Sequence, residues 1–340
     1  SIHPNDEVNQ SQSSNDTFPS AMKIAVYCLA KEDLLKSLSL FEKTLSAKEK
    51  EFADVVKIGR THLMDAVPLT LGQEFSGYKE QIRAAKEAVT QTFPALLKLP
   101  LGGTAVGTGL NTTPDFAEKI CKSIADKMGH PFESADNKFA EIAAHDSLVA
   151  LSGNLRAVAV AVMKIVNDIR LLGSGPRAGL GELRLPAREP GSSIMPGKVN
   201  PTQCEALSMV CAQVMGCDVS VGIGGSMGHL ELNAFKPLIV YNLITAIHLL
   251  TDGLNSFREN CLSDLQPDKE RIQNLMENSL MLVTSLTPHI GYDKAAQIAK
   301  SAHKRGTTLK SEAIRLGYLT EKEFDRLIRP QDMTQPNLKS

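Results

Sequence analysis

The sequence lacks tryptophan altogether, and aromatic residues make up only 5 % of its 340 positions. Alternating runs rich in β-branched residues are short as well, which excludes a sheet as the main architecture. Charge of one sign is also missing. The 37 basic and 38 acidic residues leave a net charge of −1, without the basic excess that binding along a nucleic-acid backbone demands. Cysteine is sparse: the six (Cys28, Cys121, Cys204, Cys211, Cys217, Cys261) form no CxxC pair and no Cys/His cluster at ligand spacing. They read as reduced, buried thiols in a reducing compartment, and no metal site is expected. No membrane span is expected either. The most apolar stretch, 148–166, is broken by Arg156 and Lys164; the stretch 237–250 is short and contains Asn242 and His248. The first residue is Ser1, and a dense polar motif begins at His3, so the chain reads as the later part of a longer protein with any targeting peptide upstream.

What is present is helical periodicity. Apolar residues make up 42 % of the chain, enough for a packed interior, and its length suits two or three domains at roughly 100–200 residues each. Ile24, Cys28, Leu35, Leu38, Phe41 and Leu45 fall mostly three, four or seven apart. Helices are expected over 70–99, over 114–128 with Gly129 as a left-handed stop, and over 201–221, 230–260, 268–283 and 292–303. The stripe Leu155, Val158, Val162, Ile165, Ile169 and Leu172 has Ala157, Val160 and Ala161 on its other side. A helix apolar nearly all round belongs at the centre of a bundle. The expected fold is therefore all-α: a long central helical bundle with a small C-terminal helical domain. The expected division is a remnant of an N-terminal domain over 1–10, the bundle over 11–266, and the C-terminal domain over 267–340.

Four polar clusters interrupt this pattern. Residues 191–205 begin as an irregular loop with Gly191, Pro196 and Gly197 and end as a helix start, with Asn200 placed to cap, Pro201 at the first helical position and Gln203 to complete a capping box. The loop carries Ser192, Ser193 and Lys198 beside a helix N-terminus, a setting that attracts a carboxylate, and composition alone equally allows a plain interhelix loop. Gly59-Arg60-Thr61-His62 offers either an acid–base histidine or a surface cap. His3, Asn5 and Asp6, followed by Ser13, Ser14, Asn15 and Asp16, offer either a hydrogen-bonding surface for a small acid or a solvated helix cap. Residues 102–109 are glycine-rich, but no lysine follows them and no buried strand precedes them, so they read as a tight turn rather than a phosphate loop.

These motifs carry a resemblance. The run 191–205 resembles the signature of the aspartase/fumarase superfamily. Together with 3–6, 13–16, 59–62 and 102–111, in the same order, it resembles the class II fumarate hydratases from end to end. Aspartases typically have Gln where His62 stands, and the spellings Pro196-Gly197-Lys198 and Thr202-Gln203-Cys204 are similar to fumarases. The resemblance implies a homotetramer assembled through its central helices, with active sites shared among three subunits. It implies a lyase that interconverts fumarate and (S)-malate in the tricarboxylic acid cycle, in the cytoplasm or mitochondrial matrix, without a cofactor. It further implies that Ser192 is the base, that Lys198 and Asn200 hold the carboxylate that gains charge, and that His62, paired with Glu205, handles the departing hydroxyl through a water. Thr61, Ser13, Ser14 and Asn15 would bind substrate, and His3, Asn5 and Asp6 would form a second dicarboxylate site. The glycine-flanked loop 191–197 is expected to close over substrate. The sequence departs from the family in three places. A Ser/Thr-rich segment expected upstream of His3 is not part of it, Met64 stands where a Gln is common, and Ala187-Arg188 replaces a more acidic pair. An aspartase-like ammonia-lyase and a non-catalytic dicarboxylate-binding scaffold are the alternative readings.

Overall fold

The computed structural model describes residues 2–336, and most of them are helical. A short π-helical turn (Pro4–Val8) precedes α1 (Ser14–Cys28), a π-helical stretch (Leu29–Leu34) and α2 (Leu35–Glu51). A hairpin of β1 (Val56–Thr61) and β2 (Met64–Thr70) follows. Next come α3 (Leu71–Gln91), α4 (Phe93–Leu96), β3 (Lys98–Leu99), α5 (Phe116–Met128), β4 (Glu133–Ser134) and α6 (Lys138–Ala143). The longest helices are α7 (Asp146–Leu172) and, after β5 (Leu183–Arg184), α8 (Thr202–Gly225) and α9 (Lys236–Phe257). The chain closes with β6 (Gln266–Pro267), α10 (Lys269–Asn278), a 3₁₀ stretch (Leu280–Leu286), α11 (Thr287–Ile290), α12 (Tyr292–Arg305), α13 (Leu309–Arg315) and α14 (Glu321–Leu327). Every sheet among the described residues is two-stranded: β1–β2 and β5–β6 antiparallel, β3–β4 parallel. The mostly helical architecture agrees with the periodicity.

Several boundaries moved for local reasons. The helix expected over 70–99 stops at Gln91, just ahead of Pro94, whose ring cannot continue the hydrogen-bond ladder. The helix expected from Leu230 begins six residues later, because Leu230 is left-handed (φ 52°) and His229 bridges back to Leu232. Gly129 does cap α5 in the left-handed conformation, at φ 68°.

The described residues form two compact units. The first comprises the residues up to Lys43, Glu80–Asp168 and Gly191–Ser263. Its core draws on α7, where Leu148, Leu151, Leu155, Val158, Val162 and Ile165 are all buried at spacings of three and four. In it α8 and α9 pack along each other. Gly253 makes this approach possible, since a Cβ there would lie 3.0 Å from Leu207. The polar residues inside these apolar helices are paired. Asp218 of α8 accepts hydrogen bonds from Ser152 Oγ at 2.8 Å and from Arg156 at 2.7 Å, both on α7. This bears on the expectation that no membrane span is present. Asp146–Leu172, Thr202–Gly225 and Lys236–Leu262 are each long and apolar enough to cross a membrane by length and composition alone, isolated charges such as Arg156 notwithstanding.

Buried in the same unit, His145 has a pKa pushed down to about 4, chiefly by burial and further by the positive charges of Lys236 and Lys23. The unfolded chain takes up this proton near pH 6.5, before the folded one does, so stability falls as the pH drops through that window. Urea midpoints measured from neutral pH to pH 4 should decline, and His145→Gln should flatten the decline. An equal slope in the variant would show that His145 is not its source.

The second unit comprises Thr44–Lys79, Ile169–Pro190 and the residues from Asp264 on. Its core gathers Ile58 of β1 with Met276, Leu286, Ile298, Ala302 and Ala313 from the C-terminal helices. Inside it the Glu312 carboxylate accepts from Ser301 Oγ at 2.6 Å, Thr307 Oγ1 at 3.0 Å and Arg315 at 2.7 Å. These donors, Arg315 foremost, hold its pKa down at about 2.

Candidate functional site

The loop 191–200 folds back on itself. Ser192 N–H donates to Lys198 O at 2.9 Å, and Lys198 N–H donates to Met195 O at 3.1 Å. The Ser192 hydroxyl oxygen accepts the Met195 N–H at 3.2 Å. Gly197 supports the reversal with φ 80°, a conformation open to glycine. Ser192 and Lys198 are thereby brought side by side along the main chain. Ser192 is half-buried, whereas Lys198 and Asn200 are exposed.

The expected capping box is absent. The helix α8 starts at Thr202, Pro201 occupies the cap position, and no side chain caps it. Gln203 Oε1 instead accepts from Ser256 Oγ at 3.0 Å. The Asn200 amide is therefore not used as a cap. Glu205 lies in the first turn of α8 and is half-buried.

His62 and Thr61 lie in the second unit, on a hairpin that periodicity did not reveal. Thr61 pairs with Met64, so His62 and Leu63 form the two-residue turn, with φ 55° and 61°. Both values are positive, as a primed hairpin turn requires, and this favours Asn-Gly over His-Leu. Histidine tolerates the left-handed region; leucine does so at a cost of about 1–3 kcal/mol. Leu63 is 74 % exposed, so its side chain returns little burial for that cost. Leu63→Gly should raise stability by about 1 kcal/mol in chemical denaturation. A loss of stability would show that Leu63 is not strained.

The hairpin is rooted in a buried ionic cluster. The Glu182 side chain is fully buried, with one oxygen 2.7 Å from Arg60 and the other 3.2 Å from Lys57. Lys57 also lies 3.5 Å from Glu74. Arg60, noted in the sequence only as a neighbour of His62, is thus an anchor. Arg188, one of the family departures, pairs with Asp264.

In the first unit, the polar run before α1 meets the glycine-rich loop. Asp16, buried in the first turn of α1, accepts the Gly102 and Thr104 N–H groups on one oxygen, each at 2.9 Å. Burial raises its pKa, opposed by these amides. The loop amides that resembled a phosphate cradle are therefore filled by the chain's own carboxylate, in keeping with the turn expected there. Asn15 Nδ2 donates to Ala105 O at 2.8 Å, and Ser11 Oγ donates to Asn111 O at 2.6 Å. Ser13 caps α1, accepting from Asn15 N–H at 3.2 Å; Ser14 is exposed. The helix begins at Ser14, with Ser13 as its cap.

His3, Asn5 and Asp6 form a separate exposed group. His3 Nδ1 accepts the Asn5 N–H at 3.3 Å and lies 3.2 Å from Asp6. Sequence spacing also missed one group of potential metal donors, Cys28, Glu32 and His130, which the fold collects from distant segments.

Residues 1–216 match the family model described as Lyase, and 282–335 match the one described as Fumarase C C-terminus. The mitochondrial fumarate hydratase of Rattus norvegicus is 60 % identical over 335 residues, covering 98 % of this chain and 66 % of the rat protein. The chain thus spans just under two thirds of the length of the mammalian relatives it matches. The class II fumarate hydratase of Methylorubrum extorquens is 58 % identical, covering 99 % of this chain and 71 % of the bacterial protein. The crystal structure of recombinant class II fumarase from Schistosoma mansoni superposes with a TM-score of 0.95 at 46 % identity, covering 98 % of this chain and 73 % of that one.

Proposed function

The chain belongs to the class II fumarate hydratases of the lyase family, and from that premise we propose that it catalyses the reversible hydration of fumarate to (S)-malate. The observation that carries this reading is the hydrogen bond from Met195 N–H to the Ser192 hydroxyl oxygen, in a loop that doubles back to Lys198. A serine hydroxyl is a weak base in water. An amide donated to its oxygen favours the ionised form, and a nearby ammonium adds to that.

In the malate direction, Ser192 takes a proton from the carbon next to a carboxylate. The electron pair moves onto that carboxylate, where Lys198 and Asn200 stabilise the added charge. Loss of the hydroxyl from the neighbouring carbon, protonated through a water by His62, completes the double bond of fumarate. Glu205 pairs with His62 and sets its tautomer. Thr61, Ser13, Ser14 and Asn15 position the diacid, and His3, Asn5 and Asp6 form a second dicarboxylate site.

The substrate side is tested by mixing the protein with malate and following ultraviolet absorbance. Growth of the fumarate signal supports the reading; none overturns it. With malate as substrate, Glu205→Gln should move the alkaline limb of the pH–rate profile to lower pH, since a carboxylate partner favours the protonated imidazole that donates to the leaving hydroxyl. An unmoved profile rules out the pairing.

The assembly read from the family is a homotetramer with active sites shared between subunits. Val160 of α7, Met209, Val219 and Ile223 of α8 and Tyr241 of α9 support it, being 54–70 % exposed on otherwise apolar helices. Such residues call for a cover, and the Asp218–Arg156 pair tying α7 to α8 suits helices of other copies better than lipid. The relatives include mitochondrial and bacterial enzymes, and no disulfide joins any of the six cysteines, which fits the mitochondrial matrix or the cytoplasm.

A further inference from the structure

We propose that Cys28, Glu32 and His130 form a binding site for one divalent zinc-class ion, with water completing its coordination. A thiol sulfur, a carboxylate oxygen and an imidazole nitrogen from these residues all lie within 4.8 Å of one another. Tetrahedral zinc with bonds of about 2.0–2.3 Å places its ligand atoms roughly 3.3–3.8 Å apart, so the donors stand close to that arrangement.

Two separate stretches build the group. Cys28 ends α1, and Glu32 follows one helical turn later within the π-helical stretch Leu29–Leu34. Single π turns inside helices recur at functional sites because they re-aim side chains. His130 arrives 98 residues beyond Glu32 and donates a hydrogen bond to it, Nε2–H to Oε1 at 2.8 Å. The turn around His130 is fixed on both sides. Gly129 is left-handed, and Phe132 N–H donates to His130 O at 2.8 Å. The ring also packs edge-on against Tyr27, with centroids 5.1 Å apart. Tyr27 and Phe132, both buried, wall one side of the cluster. The Glu32 side chain is 60 % exposed and leaves the other side open for water and for entry of an ion.

The chemistry of the donors selects the ion. A thiolate with an imidazole and one carboxylate suits zinc and its neighbours among the transition metals, whereas magnesium and calcium require oxygen donors. Burial, and after it the negative charge of Glu32, push the Cys28 thiol up. When the metal–sulfur bond forms, the thiol proton leaves to solvent, the ion stays divalent, and the charge of Glu32 becomes an attraction. The bound ion would join the end of α1 to the turn after α5, two segments of the first unit.

The test uses the purified protein, freed of metal by a chelator and titrated with Zn²⁺ against a chromophoric competitor. One ion should bind per chain, and Cys28→Ser and His130→Gln should each weaken it by more than the roughly 10–100-fold that loss of an outer-shell partner costs. Co²⁺ in place of Zn²⁺ should give a sulfur-to-metal charge-transfer band that Cys28→Ser abolishes. Far-ultraviolet circular dichroism in the presence of chelator checks that the variants fold. Wild-type protein without the band, a band that survives Cys28→Ser, or zinc affinity unchanged by His130→Gln overturns the site. Absence of the band from the wild-type protein overturns the site even if a variant fails to fold, and Cys28→Ala then stands in for Cys28→Ser.

Discussion

Alanine in place of Ser192 is expected to lower kcat by about 1,000-fold while KM stays within a few-fold of its original value, the range typical of losing a positioned general base. That factor corresponds to about 4 kcal/mol of barrier. The substitution is clean for a structural reason. The bonds that close the loop, Ser192 N–H to Lys198 O and Lys198 N–H to Met195 O, run between main-chain atoms and survive it. What disappears is the hydroxyl that accepts the Met195 N–H. Steady-state kinetics in both directions provide the measurement. An unchanged kcat, or a KM that rises in step with the loss of kcat/KM, would remove Ser192 from the role of base.

The second large effect is on stability and falls at the root of the hairpin. Glu182 is fully buried between Lys57 and Arg60, whose own side chains are largely withdrawn from water. Glu182→Ala leaves the Arg60 guanidinium without its buried counter-charge and Lys57 with Glu74 alone, at a cost of about 3–5 kcal/mol. Urea denaturation reads the loss directly. Replacing Arg60 by Met together with Glu182 by Gln should recover part of it, because removing both members of a buried pair costs less than orphaning one and Lys57 keeps Glu74. A single variant as stable as the parent, or a double variant worse than the single, would show that the cluster does not hold the hairpin. His62 sits at the tip of that hairpin, so reduced turnover should accompany the instability.

These cases show which parts of the molecule were legible in its sequence. The helix α7 was, because Leu155, Val158, Val162 and Ile165 repeat at three and four and all prove buried. The stop at Gly129 was, because only a residue free of a side chain adopts that conformation easily. The hairpin was not: its turn is His62-Leu63, where a sequence reader looks for Asn-Gly, and Gly59 interrupts the alternation of β1 at a register shift. The buried ionic cluster was not, because Lys57, Glu74 and Glu182 lie far apart in the chain and no local rule joins them. The motif around Ser192 was legible as a motif, but its helix start was misread. Pro201, not Asn200, stands at the cap, and Gln203 is engaged with Ser256. Asp16 reads in the sequence as one polar residue in a helix cap, whereas its carboxylate accepts the Gly102 and Thr104 amides of the glycine-rich loop.

The placement of the thiols has a practical consequence. All six cysteines lie in the first unit, and only Cys28 is partly accessible. Burial pushes the Cys121 and Cys211 thiols up to about 11 and 12, so in the folded protein they resist alkylation twice over, by shielding and by protonation. A maleimide added to the metal-free protein therefore consumes its first equivalent at Cys28 and the remaining five only as the first unit opens. The slow phase is a clock for the opening of that unit.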